Sequence, residues 1–364
     1  MEGRPDHQED ADVPPQYRET AALRGVAGAA FLLALAGCGA SASPTATPRA
    51  TAGPVAPTAT PGSAATPTTR PAVDPASVHA DELGVVPVLM YHQLLAHPTG
   101  DYDQTPAQFR TELEQLYAHG YRTVTAAALA TGTIDLPAGA HPMVLTFDDS
   151  TVSQYGELPD GTVDPQTAVG ILLAVGKAHG QARPVASFYV NSSPFAGRDT
   201  YLARLAALGM ELGDHTATHA NLRKLDAAGV QRELVKGLDV ITGAVPGATV
   251  TTMALPYGAT PHDRALAHTG SAGGTSYTFR AVLLVGSNPA ASPYARGFDP
   301  LELPRIRSGR RTGDQSFTST EWLPKLFSGA IRAFTSDGDP TRISFPTKRA
   351  ARLDPRFAAM ARPY

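Results

Sequence analysis

Two adjacent carboxylates, Asp148 and Asp149, end the run Met143-Val144-Leu145-Thr146-Phe147, whose β-branched and aromatic residues predict a buried strand. Like charges side by side repel, and one acid keeps its proton unless a cation lies between them. A cation is therefore the first thing to look for. Downstream, Gly213-Asp214-His215-Thr216-Ala217-Thr218-His219 carries two imidazoles four residues apart, a spacing that predicts one face of a helical turn. Asp149, His215 and His219 together make a one-carboxylate, two-imidazole metal set.

The elements that must bring these residues together alternate in type. Val85–Tyr91 reads as a strand, and Thr105-Pro106-Ala107-Gln108 opens a helix with a capping-box pattern that runs to about His119 and stops at Gly120. After the acid-bearing strand come a helix from about Asp164 to His179, a strand Val185–Val190, a helix Tyr201–Leu208 and a short strand Met210–Gly213. Val230, Leu234, Leu238 and Ile241 mark the apolar face of a helix over Asp226–Ile241, and Val250–Leu255 is a strand ending at Pro256-Tyr257-Gly258. This alternation predicts an α/β fold with a mostly parallel sheet and crossover helices. Such folds do their chemistry where the C-terminal ends of the strands gather. His92, Asp148, Asp149, His215, His219 and Tyr257 all fall at such ends.

Composition narrows the classes of partner. With 42% hydrophobic residues and a net charge of -3, neither a polyanion-binding surface nor an acidic disordered chain is indicated, and nucleic acid is excluded as an expected partner. No protein partner is predicted. The single cysteine, Cys38, rules out an intrachain disulfide. Arg18 and Arg24 precede the apolar run Val26–Ala36, which is shorter than the ~20 residues of a membrane-spanning helix and fits a signal-peptide core. The run ends in Leu35-Ala36-Gly37-Cys38, which resembles the lipobox of bacterial lipoproteins. Residues 1–38 are thus expected to be a signal peptide whose Cys38 carries a lipid. Residues 39–80 are mostly Ala, Thr, Pro, Ser and Gly and are expected to be a disordered tether, reaching on the order of 100 Å if extended. Residues 81–364 form a single expected catalytic domain, close to the ~250 residues of one α/β barrel.

Thr146-Phe147-Asp148-Asp149 resembles the first motif of the polysaccharide deacetylases, the NodB-homology or family 4 carbohydrate esterases. His215-Thr216-Ala217-Thr218-His219 resembles the second motif, and Pro256-Tyr257-Gly258 the core of the third. Val88–His92 and Leu303-Pro304-Arg305-Ile306 are similar to segments of secreted members, so the resemblance spans about residues 85 to 310. It implies a distorted (β/α) barrel. It also implies that Asp149, His215 and His219 bind a divalent metal, most often zinc, that Asp148 is the general base, and that the Tyr257 backbone N–H helps hold the oxyanion.

The implied activity is hydrolysis of N-acetyl groups on a cell-wall or exported polysaccharide, by an extracytoplasmic protein held to the membrane through Cys38. Two alternatives accompany it: a non-catalytic wall-binding lipoprotein on the same fold, and an O-acetyl esterase. The chain departs from the family pattern at Ala254, where an arginine usually orients the base, and has no histidine after His268 to serve as general acid. His92 is the substitute expected for the acid. Its other expected roles are orienting Asp148 in place of the arginine, or packing. Leu303-Pro304-Arg305-Ile306 reads as structural rather than catalytic, and Trp322 as either a sugar platform or a core residue.

Overall fold

The computed structural model describes residues 73–308 and 315–364. The expected signal peptide, Cys38 and nearly all of the expected tether lie outside the described residues. The last residues of the expected tether that are described have structure: a turn over residues 75–79 is bonded internally, Ala80 is fully buried, and the Tyr364 hydroxyl donates to Ala80 O (2.8 Å).

The expected alternation is present. β1 (Val88–Tyr91), α1 (Pro106–Ala118), β2 (Tyr121–Val124), α2 (Ala126–Thr131), β3 (His141–Phe147), α3 (Ala168–Ala178), β4 (Ser187–Val190), α4 (Thr200–Ala207), β5 (Glu211–Asp214), α5 (Ala227–Ala244) and β6 (Thr252–Ala254) follow in order. Then come an antiparallel hairpin, β7 (Thr269–Ala272) and β8 (Thr275–Thr278), and β9 (Ala281–Leu283), β10 (Ile306–Arg307), α6 (Ser319–Phe327), β11 (Ile343–Phe345) and β12 (Ala361–Pro363). Helix starts follow local chemistry. Thr105 and Gln108 form a reciprocal capping box at α1, and Thr125, Thr167 and Asp226 each accept an N–H from the first turn of α2, α3 and α5.

All pairings of the main sheet are parallel, in the order β10-β1-β3-β4-β5-β6-β9, with β2 beside the first half of β3. The two ends of that order meet. Leu303 exchanges backbone hydrogen bonds with the β9 edge (Leu303 N to Val282 O and Leu284 N to Leu303 O, both 2.9 Å), while Ile306 and Arg307 pair with β1. One short segment thus closes the curl into a distorted (β/α) barrel.

Alternation along the strands sorts side chains into two cores. Val88, Val144, Tyr189, Ala254, Ala281 and Leu283 belong to one buried cluster with Leu303. Leu89, Leu145, Phe147, Phe188, Met253 and Ile306 face the other way and pack with Phe109 and Leu113 of α1, Ile171 of α3, Leu205 of α4 and Leu234 of α5. At about 25 cal/mol per Å² of apolar area removed from water, this outer layer holds the strand ends in fixed relation.

Candidate active site

Asp148 and Asp149 follow directly on β3, His92 on β1, His215 on β5, and Pro256–Gly258 lies just beyond β6. Because these strands are parallel, all six expected site residues gather at one mouth. The backbone is bent hard to aim them. Of the nine non-glycine residues with positive φ among the described residues, five are Asp149 (72°), Ser150 (47°), Thr216 (61°), His219 (55°) and Tyr257 (59°). Each such conformation costs roughly 1–3 kcal/mol, and strain of this kind collects where function requires it.

The expected helical turn carrying the two histidines is not formed. His215–His219 is an irregular loop, because two left-handed residues, Thr216 and His219, reverse the chain where a helix would continue. Asp214, buried at the end of β5, shapes that loop by accepting the Thr216 N–H (2.6 Å). The rings still converge, with centroids 4.9 Å apart. Asp149 Oδ1 lies 3.5 Å from His215 Nε2 and 3.4 Å from His219 Nε2. These separations match the edge of a tetrahedron of ligands around one ion, about 3.3 Å for bonds of 2.0–2.1 Å. His215 Nδ1 lies 2.8 Å from Ala254 O, the outer bond that leaves Nε2 free to ligate. Among the described residues this trio is the one group of three or more His, Cys, Asp or Glu placed to hold a metal ion. The residues fit a divalent cation.

Asp148 stands apart from the trio. It is 2% exposed, and each of its oxygens takes a guanidinium hydrogen bond from Arg305, Nη1 to Oδ1 at 2.7 Å and Nη2 to Oδ2 at 2.9 Å. Burial alone would raise its pKa, but Arg305, His215 and His92 outweigh burial and hold the carboxyl well below the usual range. Arg305 is itself fully buried and also bonds Leu284 O (2.6 Å) and Thr146 Oγ1 (3.2 Å). Leu303-Pro304-Arg305-Ile306, read from sequence as structural, therefore supplies the orienting arginine. The guanidinium enters from the closing segment of the barrel, while Ala254, at the usual place, is a buried wall residue. The available signal was an arginine inside an apolar strand-like run, since a buried charge requires a committed partner.

His92 Nε2 lies 3.9 Å from Asp148 Oδ2, too far for a hydrogen bond. Arg305 takes the orienting role instead. The His92 ring stacks on Tyr102 at 5.1 Å, and burial lowers its pKa against the pull of Asp148. Tyr257 is half exposed at the rim, edge-on to His219 at 4.6 Å. Trp322 is partly buried, donating Nε1–H to Ser287 O (3.1 Å).

The stretch that holds Asp148, Asp149, His215, His219 and Tyr257 is also where similarity to known proteins lies. Residues 136–275 match the family model described as polysaccharide deacetylase. It is 32% identical over 121 residues to a chitooligosaccharide deacetylase of Bradyrhizobium sp. (33% of this chain, 48% of the relative). It is also 30% identical over 118 residues to a chitin deacetylase of Arthroderma benhamiae (32% and 27%). The chain thus spans less than half the length of these curated relatives. A polysaccharide deacetylase structure from Bacillus cereus superposes with a TM-score of 0.49 at 20% identity, covering 68% of this chain and 69% of that one.

Proposed function

We propose that this protein is a metal-dependent hydrolase that removes N-acetyl groups from N-acetylglucosamine-type units of a cell-wall or exported polysaccharide. The observation that carries this reading is Asp148, a buried carboxylate kept charged by Arg305 next to the metal-binding trio. A protein that only bound its glycan would have no use for a charged base there. With Arg305 in place, the absence of arginine at position 254 no longer favours a non-catalytic reading. The relatives named for chitin and chitooligosaccharide deacetylation support the class of substrate.

Asp149, His215 and His219 are the residues that would hold the cation, and zinc suits one carboxylate with two imidazoles. When bound, such an ion polarises the acetyl carbonyl and lowers the pKa of a water from 15.7 toward ~7. Asp148 would accept the proton of the attacking water, and Arg305 keeps its oxygens aimed and ionised. The Tyr257 backbone N–H donates to the oxyanion as the acetyl carbon becomes tetrahedral, a contribution of about 10²–10³-fold for one donor. His92 then protonates the leaving amine. That role is worth about 10²–10⁴-fold.

The Leu35–Cys38 motif and the Pro-rich stretch after it support a lipid anchor on the outer face of the membrane, with the domain held toward the wall. Cys38→Ser is expected to move the protein from the membrane fraction to the soluble one, and detergent-dependent fractionation of the variant would count against the anchor. The activity itself is tested by acetate release from chito-oligosaccharides, measured before chelation, after it, and after divalent metal is restored. Release that ignores the chelator, or no release under any condition, would refute the reading.

A further inference from the structure

The backbone ladder between β1 and β3 stops where the chemistry starts. Its last bond is Asp148 N–H to Tyr91 O (3.0 Å), and the next carbonyls, those of His92 and Asp148, are joined by a side chain from elsewhere. The Gln154 Nε2 amide donates to His92 O at 2.8 Å and to Asp148 O at 2.5 Å. Gln154 is fully buried, and its own backbone is fixed: its N–H bonds Thr151 O (3.0 Å), and its carbonyl accepts the Val169 N–H (3.0 Å) of the first turn of α3. Ser153 strengthens the same grip, its hydroxyl accepting the Leu94 N–H (3.0 Å).

Two further facts set this glutamine apart from ordinary packing. The His92 and Asp148 side chains are 3.9 Å apart and do not bond each other, so their separation depends on the backbones from which they hang. The other end of the Gln154 amide, Oε1, is buried with no hydrogen-bond partner. A buried unpaired amide oxygen costs stability, typically about 1–3 kcal/mol, and that cost is carried at a position where the Nε2 end of the same amide holds two carbonyls. We propose that Gln154 is a positioning residue that sets the spacing between the base Asp148 and the acid His92 by tying their two carbonyls to one amide. The inference rests on the proposed hydrolysis for the roles of those two residues, but the clamp itself is a structural claim that can be read without substrate.

The test uses the full chain with Gln154→Met, which keeps length and removes the donor, and Gln154→Asn, which keeps the amide but is too short to span both carbonyls. Five quantities are measured: bound metal, melting temperature, kcat and KM on chito-oligosaccharides, and the NMR resonances of the His92 ring in substrate-free protein. Both variants are expected to keep the metal and to melt below the parent, since His92 O and Asp148 O lose their donor, while staying folded at the assay temperature. The His92 resonances should move, and kcat should fall about 10²-fold with KM within a few-fold, as expected for misplacement of reacting groups. Unmoved His92 resonances, parental kcat, or a kcat loss that only tracks lost metal or lost folding would each overturn the clamp. Should the parent protein release no acetate while the His92 resonances still move in the variants, the clamp stands and the functional reading fails.

Discussion

Two buried carboxylates at opposite ends of the barrel have opposite fates. Asp148, at the C-terminal mouth, is 2% exposed, and Glu82, ahead of β1 at the other end, is 4% exposed. Burial by itself raises the pKa of both. At Asp148 the two-pronged guanidinium of Arg305 reverses that effect and the acid stays charged. Glu82 meets the backbone N–H groups of Ser344 (2.7 Å) and Asp337 (3.4 Å), while the nearby Arg342 is taken up by Asp337 (2.7 Å). Burial, with Asp337 adding to it, pushes Glu82 up to about 8. What decides the charge of a buried acid here is whether a cation is committed to it.

The histidines repeat the contrast. His215 at the mouth and His141 at the base each place Nδ1 against a backbone carbonyl, Ala254 O at 2.8 Å and Phe334 O at 2.7 Å. Pinning a ring is thus not peculiar to the mouth. His141 faces a cavity of about 340 Å³ shared with His79, Asp81, His119 and Tyr121, yet the described residues there do not converge as a metal-binding group. Convergence requires the left-handed turns that bring Asp149, His215 and His219 together.

The largest effect expected from this contrast is on metal content. Asp149→Ala, His215→Ala or His219→Ala should each abolish binding of one equivalent of divalent metal, while His141→Ala should retain it. Elemental analysis decides the matter, and full occupancy in the His219 variant would break the assignment. Next in size, His92→Ala should cut turnover by roughly 10²-fold with metal retained. The pH–rate profile should also lose its alkaline limb, whereas an unchanged rate would remove His92 from the reaction.

The smallest effect concerns Glu82. With its folded pKa near 8, above the ordinary value of 4.5, the folded state keeps a proton that the unfolded chain releases. Its contribution is fully present below about 4.5 and is lost as pH rises toward 8. Glu82→Gln should therefore melt with less dependence on pH than the parent across that window. Parallel melting curves for the two proteins would show that Glu82 is not held neutral.

Much of this arrangement was legible in the sequence, for identifiable reasons. Thr105 with Gln108 marked the start of α1, and the apolar spacing of α5 marked its buried face, because capping and periodicity are local properties. The acid pair and the two histidines were legible because unusual residue types sit at strand ends. Arg305 was missed because its partner, Asp148, lies 157 positions away in sequence, and only closure of the barrel brings the two together. The β7–β8 hairpin had a local signal in Gly273-Gly274, both at positive φ (58° and 88°), which suits a tight hairpin turn. The chain after α6 was opaque for a different reason. It is built from short 3₁₀ turns and two three-residue strands, too brief to show a period.

Arg305 acts through Asp148, and a double-mutant cycle tests this most directly. Asp148→Asn, Arg305→Lys and the double variant would be compared for turnover on chito-oligosaccharides, with metal content checked in each. Lysine keeps the charge but cannot reproduce the two-pronged contact. Asp148→Asn is expected to lose about 10²–10⁴-fold with metal retained, and Arg305→Lys about 10²-fold or less. If the arginine works only by holding the base, the double variant should be no slower than Asp148→Asn alone. Losses that multiply in the double variant would show two independent contributions and contradict the account.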